Sequence, residues 1–523
     1  MNLLDWIVLT TYLVGLVGLS IYLGKGQTSQ DDYYVGGRNI SWWAIGISTM
    51  ATQTSAISFI SVPAFVAIKE GGGLTWLQYE LALPLSMIAV VIFLIPFFRE
   101  LNLLSVYEYL ELRFGPSVRS LVSAIFLLSR GLATGVVVYS SGIVLSVALQ
   151  LPLWSTILLI GVITIIYDTI GGISMVIYSD VIQMGVLVGG IILCLIYAAD
   201  SVGSFGEMIA ALPAERLTAS DFSSGFGGNS AVPFWAFLFG GFFLYVAYYG
   251  TDQSQVQREL SSKSAHEVKK SLMFAGLARF PLTLMYVLMG IAALSVYNIS
   301  PELAASVPSD KPDYLIPQYI LHVLPSGLRA ILFAALLAAA MSSLDSALNS
   351  LSAVTMRDFL NKWRPESAEN LYLGKLTTVF WGILVTGFAF LVGNISETVI
   401  EAINKIGSAF YGPILAAFLV GILSKRVTTK GVITGIIAGV GFNIFLWMAH
   451  PEIHWMWWNP IGCTLGFSTA YLFSFTPFSE EVTANERYLL NFSKIIQREK
   501  GWGFNHLLLI VYFLLILSVV IWL

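Results

Sequence analysis

The chain is a succession of fourteen apolar runs, near residues 3–24, 41–69, 74–98, 117–150, 153–170, 173–199, 231–257, 270–297, 326–350, 372–393, 397–424, 431–450, 456–476 and 504–523. Most reach the roughly 20 residues that an α-helix needs to cross about 30 Å of hydrocarbon; a transmembrane barrel would show shorter segments of alternating polarity. With 56% hydrophobic and 11% charged residues and a mean hydropathy of +0.78, the 523 residues exclude an ordinary soluble domain. The expected fold is an all-α membrane protein of 14 transmembrane helices, in one domain spanning 1–523. The first run carries Asp5 at its start with no basic residue before it, and no small-residue cleavage site follows it, so it reads as a retained helix rather than a secretory signal. Cys194 and Cys463 both lie inside apolar runs, which argues against a disulfide framework.

Charge placement gives an orientation. With the N-terminus outside, the inner connections hold Lys25, Arg38, Arg99, Arg113, Arg119, Arg258, Lys263, Lys269, Lys270, Arg357, Lys362, Arg364, Lys375, Lys425, Arg426, Lys430, Arg487, Lys494, Arg498 and Lys500, which is 20 of the 27 Lys and Arg residues. The outer connections hold only Lys69, Arg216, Lys311 and Arg329. This bias predicts a multi-pass protein of the plasma (inner) membrane with both termini on the outer side. Arg130, Arg279 and Lys405 fall within spans. The loop at 200–230 is expected to cap the outer face, and the segment 99–116 reads as an amphipathic cytoplasmic helix.

Oxygen-bearing side chains concentrate where hydrocarbon should be. In the ninth run Ser342, Asp345, Ser346 and Asn349 fall at helical spacing on one face, and a carboxylate there needs a partner, a cavity or an ion. Such a face is either helix–helix glue or half of an all-oxygen site for a small hard cation. Asp345 favours the second reading.

Two spans are interrupted, the second by Ala51-Thr52-Gln53-Thr54-Ser55-Ala56-Ile57-Ser58 and the seventh by Tyr245-Val246-Ala247-Tyr248-Tyr249-Gly250-Thr251-Asp252-Gln253, with Gly250 near the centre. Interrupted helices in matching positions of two halves point to a transporter's central site. Their separation by five spans predicts a 5+5 inverted repeat, with one helix before it and three after. The core then covers about 40–424, and the peripheral helices are 3–24, 431–450, 456–476 and 504–523.

Asp31-Asp32-Tyr33-Tyr34-Val35-Gly36-Gly37-Arg38, Gly171-Gly172-Ile173, Tyr178-Ser179-Asp180-Val181-Ile182-Gln183, Thr251-Asp252-Gln253, Val256-Gln257-Arg258 and the serine face of the ninth span occur in order at the appropriate spans. By these residues the chain resembles the sodium/solute symporter family, which has the LeuT-type fold. The resemblance implies a sodium ion held by the carbonyls of Ala51, Thr54 and Ala339 with the side chains of Ser342 and Ser343. It implies a second sodium at Asp180 and Ser346, with Asp345 standing where relatives can have a hydroxyl; two facing carboxylates would bind the ion tightly or share a proton.

The solute pocket is then expected among Gln53, Ser55, Ser58, Gln78, Tyr79, Glu80, Arg130, Tyr245 and Lys405, with Tyr248 as the inner gate. Glu80 matches a sugar-binding glutamate and Gln78 a glutamine of sialic-acid carriers, while Tyr245 and Lys405 depart from the sugar pattern. Arg130 or Lys405 either meets the solute or pairs with Glu80; Arg279 is expected to snorkel inward.

The function implied is sodium-coupled symport of a small polar organic solute, a sugar, polyol or sugar acid, by alternating access. Monocarboxylate or sialic-acid symport is the alternative, and a membrane sensor of the same fold is the alternative of another class. One charge crossing about 100 mV is worth roughly 2.3 kcal/mol and a tenfold gradient about 1.4, so one sodium supports accumulation of a neutral solute by roughly a few hundredfold. No HExxH, CxxC or GxSxG motif lies in a span, so no enzyme is expected. Sodium is the only metal expected, the bilayer the only obligatory surroundings, and neither nucleic acid nor an obligatory protein partner is indicated.

Overall fold

The computed structural model describes residues 2–25, 27–101, 103, 105–210, 212–227, 230–392, 398–479, 485–499 and 501–523. Lys500 and the run boundaries at 393 and 397 lie outside the described residues. The main helices are α1 (Leu3–Gly24), α2 (Trp42–Gln53), α3 (Ala56–Ala67), α4 (Leu74–Glu100), α5 (Pro116–Leu149), α6 (Leu153–Val202), α7 (Ala236–Thr251), α8 (Gln253–Leu260), α9 (Ala265–Ile299), α10 (Leu328–Trp363), α11 (Leu371–Ala389), α12 (Val399–Leu423), α13 (Thr429–Ala449), α14 (Trp458–Phe473) and α15 (Gly503–Trp522).

Among the described residues ten helices are long and apolar enough to cross a membrane, or eleven when α2 and α3 count as one bent span. The count falls short of fourteen because Leu153–Ile166 and Ala236–Thr251 are shorter apolar helices, and α14 has only 16 residues. The protein is all-helical and multi-pass. Its centre is α10, 94% of whose apolar stretch is buried, against 17% for α1 and for α15. Alanine and serine line α10 from Ala334 to Ala353, and small side chains let neighbouring backbones approach where lipid offers no hydrophobic drive to associate. It packs on α1, α5, α6 and α3, while α12, α13 and α14 form a second cluster.

Both expected interruptions are present, each built by a cap. Between α2 and α3, Thr54 leaves helical geometry at φ −92°, ψ 77°, and the Ser55 hydroxyl accepts the Ile57 N–H at 3.2 Å, so a fresh helix starts at a bend of 53°. The second break lies at Asp252, not at Gly250. Asp252 has extended backbone (φ −81°, ψ 121°) and its carboxylate accepts the Ser254 N–H at 2.8 Å, starting α8. Gly250 stays helical because it provides clearance: a Cβ there would stand 2.3 Å from Leu94 Cδ1.

Helix α6 contains a third irregularity at Gly172, with φ 60° and ψ −169°, a region essentially reserved for glycine. A Cβ would also meet the Tyr33 carbonyl oxygen at 2.8 Å. The segment 99–116 corrects the expectation of an interfacial helix. Between the end of α4 at Glu100 and the start of α5 at Pro116, only Glu108–Phe114 is α-helical among the described residues, and Tyr107, Tyr109 and Phe114 are buried, with Tyr109 stacked on Phe418 at 5.9 Å. The 200–230 loop is fastened across one end of the bundle: Gly225 O accepts the His454 N–H at 2.9 Å, and the Asp221 N–H bonds Gln78 Oε1 at 3.3 Å.

Candidate functional site

The α2–α3 break faces the serine-rich stretch of α10. Ser343 Oγ donates to the Thr52 carbonyl at 3.1 Å, and the Thr54 N–H is shared between the carbonyls of Met50 and Ala51, each at 3.0 Å. Ala339, one turn before Ser343, is buried. Ser342 looks elsewhere, since successive helical residues lie about 100° apart. Its hydroxyl donates to Asp180 on α6. The two serines expected to share one ion thus engage different partners in this conformation.

Asp180 anchors a dense polar knot. It accepts from Ser48 Oγ at 2.5 Å, and Arg258 of α8 lies 3.8 Å from it while donating to Ser48 at 2.8 Å, to the Ser346 hydroxyl and to the Ser254 carbonyl. Ser346 also donates to Ser342 O at 2.7 Å and lies 3.2 Å from Thr52 Oγ1. Asp180 and Ser346 do come together, but around a guanidinium. Asp180 is engaged by Arg258, Ser342 and Ser48, whereas Asp345 lies within electrostatic reach of Tyr12 of α1. Asn349 turns to α8, where it accepts from Gln257 at 2.7 Å.

Next to the break lies a cavity with about 890 Å³ of space unfilled by atoms, its opening included. Of the solute residues expected from sequence, Gln53, Ser55, Ser58, Tyr79 and Arg130 line it, as does the gate residue Tyr248 and, at its sodium-site edge, Ser343. Tyr79 stacks on Trp76 at 5.2 Å and donates to Asn404 Oδ1 at 2.9 Å, and the Tyr249 hydroxyl donates to Gln53. Tyr248 is fixed by Gln255, which donates to its hydroxyl at 2.8 Å, and packs edge-on against Tyr411 at 6.0 Å.

Gln78, Glu80, Tyr245 and Lys405 are not in the cavity wall. Gln78 is spent on the loop, donating to Val232 O at 2.9 Å. Lys405 is half-buried within electrostatic reach of His454, at the end of the bundle that carries that loop. Glu80 is fully engaged: Arg279 Nε lies 3.1 Å away, Thr283 donates at 2.8 Å and Tyr245 at 3.1 Å. The partner of Glu80 is therefore neither Arg130 nor Lys405, and Arg279 does not snorkel; it reaches across to α4 and also donates to the Thr54 hydroxyl.

Arg130 belongs to the cavity. Its guanidinium lies 3.8 Å from Asp252 and 5.9 Å from the Tyr248 ring centroid, and its Nε has no hydrogen-bond partner among the described residues. Asp252, Arg258, Thr283, Asn404 and Tyr411 carry the site without having been singled out as its members. An Asx cap signal, Asp252-Gln253-Ser254, was readable for the first. Which intramembrane cation meets which carboxylate was not, because that depends on how separate helices pack.

The family model described as the sodium:solute symporter family matches residues 33–439. The chain belongs to that family. As a member it is a sodium-coupled transporter, not an enzyme, and sodium and a small solute are what it handles. Over 489 residues it is 30% identical to the sodium/sialic acid symporter NanT of Aliivibrio fischeri, covering 92% of this chain and 95% of that protein. It is also 30% identical to the human sodium-coupled monocarboxylate transporter 1 (85% and 73% covered) and 29% identical to the sodium/glucose cotransporter of Vibrio parahaemolyticus (85% and 85%). The solved structure of a Na+-coupled sialic acid symporter in a substrate-bound outward-open state superposes with a TM-score of 0.81 at 26% identity, covering 92% of this chain and all of the other.

Proposed function

We propose that the symporter carries a small polar organic solute bearing a carboxylate, a sugar acid or a shorter organic acid, together with sodium by alternating access. The observation that carries this reading is Arg130, whose Nε is unbonded among the described residues and which lines a cavity where hydroxyls and amides alternate with aromatic rings and the aliphatic side chains of Ile57, Val62, Val137, Leu244, Ile400 and Ile403. The other cavity cation, Arg279, is already neutralised by Glu80. Arg130 is held more loosely, 3.8 Å from Asp252, so a carboxylate would find a guanidinium with donors to spare, and planar bidentate recognition suits guanidinium better than ammonium. The sialic acid and monocarboxylate relatives support the same solute chemistry.

In this reading Ala51, Thr54, Ala339, Ser342 and Ser343 hold the first sodium once Ser342 turns from Asp180. A second sodium at Asp180 and Ser346 requires Arg258 to move aside, so that guanidinium and ion compete for one place. Tyr248 closes the cavity on the inner side. The architecture is read as fourteen spans in a single domain, a 5+5 inverted repeat within about 40–424, in the plasma (inner) membrane, with both termini outside and no obligatory protein partner.

A thermal-shift screen of sialic acids, sugar acids, short monocarboxylates and neutral sugars, each with and without sodium, tests the solute class. Stabilisation by carboxylates that needs sodium and is lost in Arg130→Gln is the expected result. Equal stabilisation of Arg130→Gln by the same carboxylates would refute it.

A further inference from the structure

Asp168 takes no part in the site above. It lies on α6 four residues before Gly172, is fully buried, and neither of its carboxylate oxygens has a hydrogen-bond partner among the described residues. One helical turn earlier, on the same face, Thr164 is 2% exposed and its hydroxyl is likewise unbonded. An ionised carboxylate in a dry interior is strongly disfavoured unless something compensates its charge. No ion pair to Asp168 occurs among the described residues. The titratable and charged groups around it are Tyr33 and Tyr34, Lys375 of α11, whose Nζ stands 5.9 Å over the Tyr33 ring, and Arg357, which acts on Tyr34. From α1, Ser20 packs against Gly171.

The neighbouring backbone decides what kind of cation suits this place. Breaking the helix at Gly172 exposes carbonyls, but they are taken: the Tyr33 hydroxyl donates to Asp168 O at 3.3 Å, and Gln27 Nε2 to Gly171 O at 2.6 Å. A metal ion would find one carboxylate and one hydroxyl, far short of the several oxygens a hard cation needs. A proton needs one oxygen, and the resulting carboxylic acid can bond the Thr164 hydroxyl. We propose that Asp168 is a proton-binding site built into the Gly171–Gly172 hinge of α6, holding its proton while the turn containing Tyr33 and Tyr34 is packed against α6 and α11.

The proton follows from burial, so it is retained while the hinge is packed and released when Asp168 meets water. The test is difference infrared spectroscopy of the full chain in lipid nanodiscs, wild type against Asp168→Asn, in sodium and in choline buffers at neutral pH. The expected result is a carboxylic-acid C=O band in both buffers that is absent from Asp168→Asn. Asn keeps the shape of the neutral acid, and Asp168→Leu with Thr164→Val offers a second, apolar replacement should Asn fold poorly. A wild-type spectrum in which neither replacement removes a carboxylic-acid band overturns the proposal, as does a band seen in choline and abolished by sodium, which would make the occupant a sodium ion.

Discussion

Arg279 Nε lies 3.1 Å from Glu80 Oε1, joining α9 to α4 directly behind the cavity. Thr283 and Tyr245 complete the shell around the carboxylate, so Glu80 is satisfied before any solute arrives. Arg130, the other guanidinium of the cavity wall, is paired less tightly, 3.8 Å from Asp252, and its Nε has no hydrogen-bond partner among the described residues.

Removing one member of that buried pair should be harmful whichever solute is carried. Glu80→Gln leaves Arg279 uncompensated, and breaking a buried pair costs about 3–5 kcal/mol. A lower melting temperature in detergent is expected for Glu80→Gln and for Arg279→Gln, with the double variant more stable than the sum of the single losses implies. Additive losses in this double-mutant cycle would show that the pair is not coupled.

Arg130→Gln removes a charged donor from the cavity. Hydrogen bonds to charged groups are worth about 1.5–3 kcal/mol, so affinity for a carboxylate solute should fall roughly ten- to a hundredfold. Isothermal titration would show this, and sodium affinity measured without solute should stay within about twofold. Undiminished carboxylate affinity would assign Arg130 to Asp252 alone.

Ser343→Ala should raise the sodium concentration for half-maximal stabilisation by about fivefold, on the basis of about 1 kcal/mol for one hydroxyl interaction. Ser350→Ala is the control, because that hydroxyl back-bonds to Ala347 O at 2.9 Å on its own helix and should leave sodium dependence unchanged. A similar shift in both variants would make the effect general to α10.

Asp252 serves as an N-cap and as the anion beside Arg130. Asp252→Asn keeps the cap and removes the charge, whereas Asp252→Ala removes both, with about 0.5–2 kcal/mol expected from the cap alone. Thermal unfolding should therefore rank Ala below Asn, and solute titration should find both altered. Equal melting temperatures for the two variants would mean that the cap contributes little.

Much of this fold was legible because hydrocarbon imposes length and composition on every span, and because polar residues at Ala51–Ser58 had no other reason to stand in an apolar run. Ser343 stands at the α2–α3 break, and Gln53, Ser55, Ser58, Tyr79, Arg130 and Tyr248 line one cavity. What was not legible is pairing across helices. Arg258 lies among Asp180, Ser48 and Ser346 only because α8 restarts at Asp252 and aims its side chain back at α2 and α10. Asp345 shares an arc of α10 with Ser342 in sequence, yet acts on Tyr12 because α1 packs against that edge. Glycine was a misleading sign in the seventh run, where it makes room for Leu94 and the aspartate makes the break.

The most direct test is solute uptake by purified protein in liposomes, using the carboxylate that the thermal-shift screen selects. An inward sodium gradient should drive accumulation above the outside concentration, and a sodium ionophore should abolish it. Equal accumulation with potassium or choline in place of sodium would contradict sodium-coupled transport by this chain.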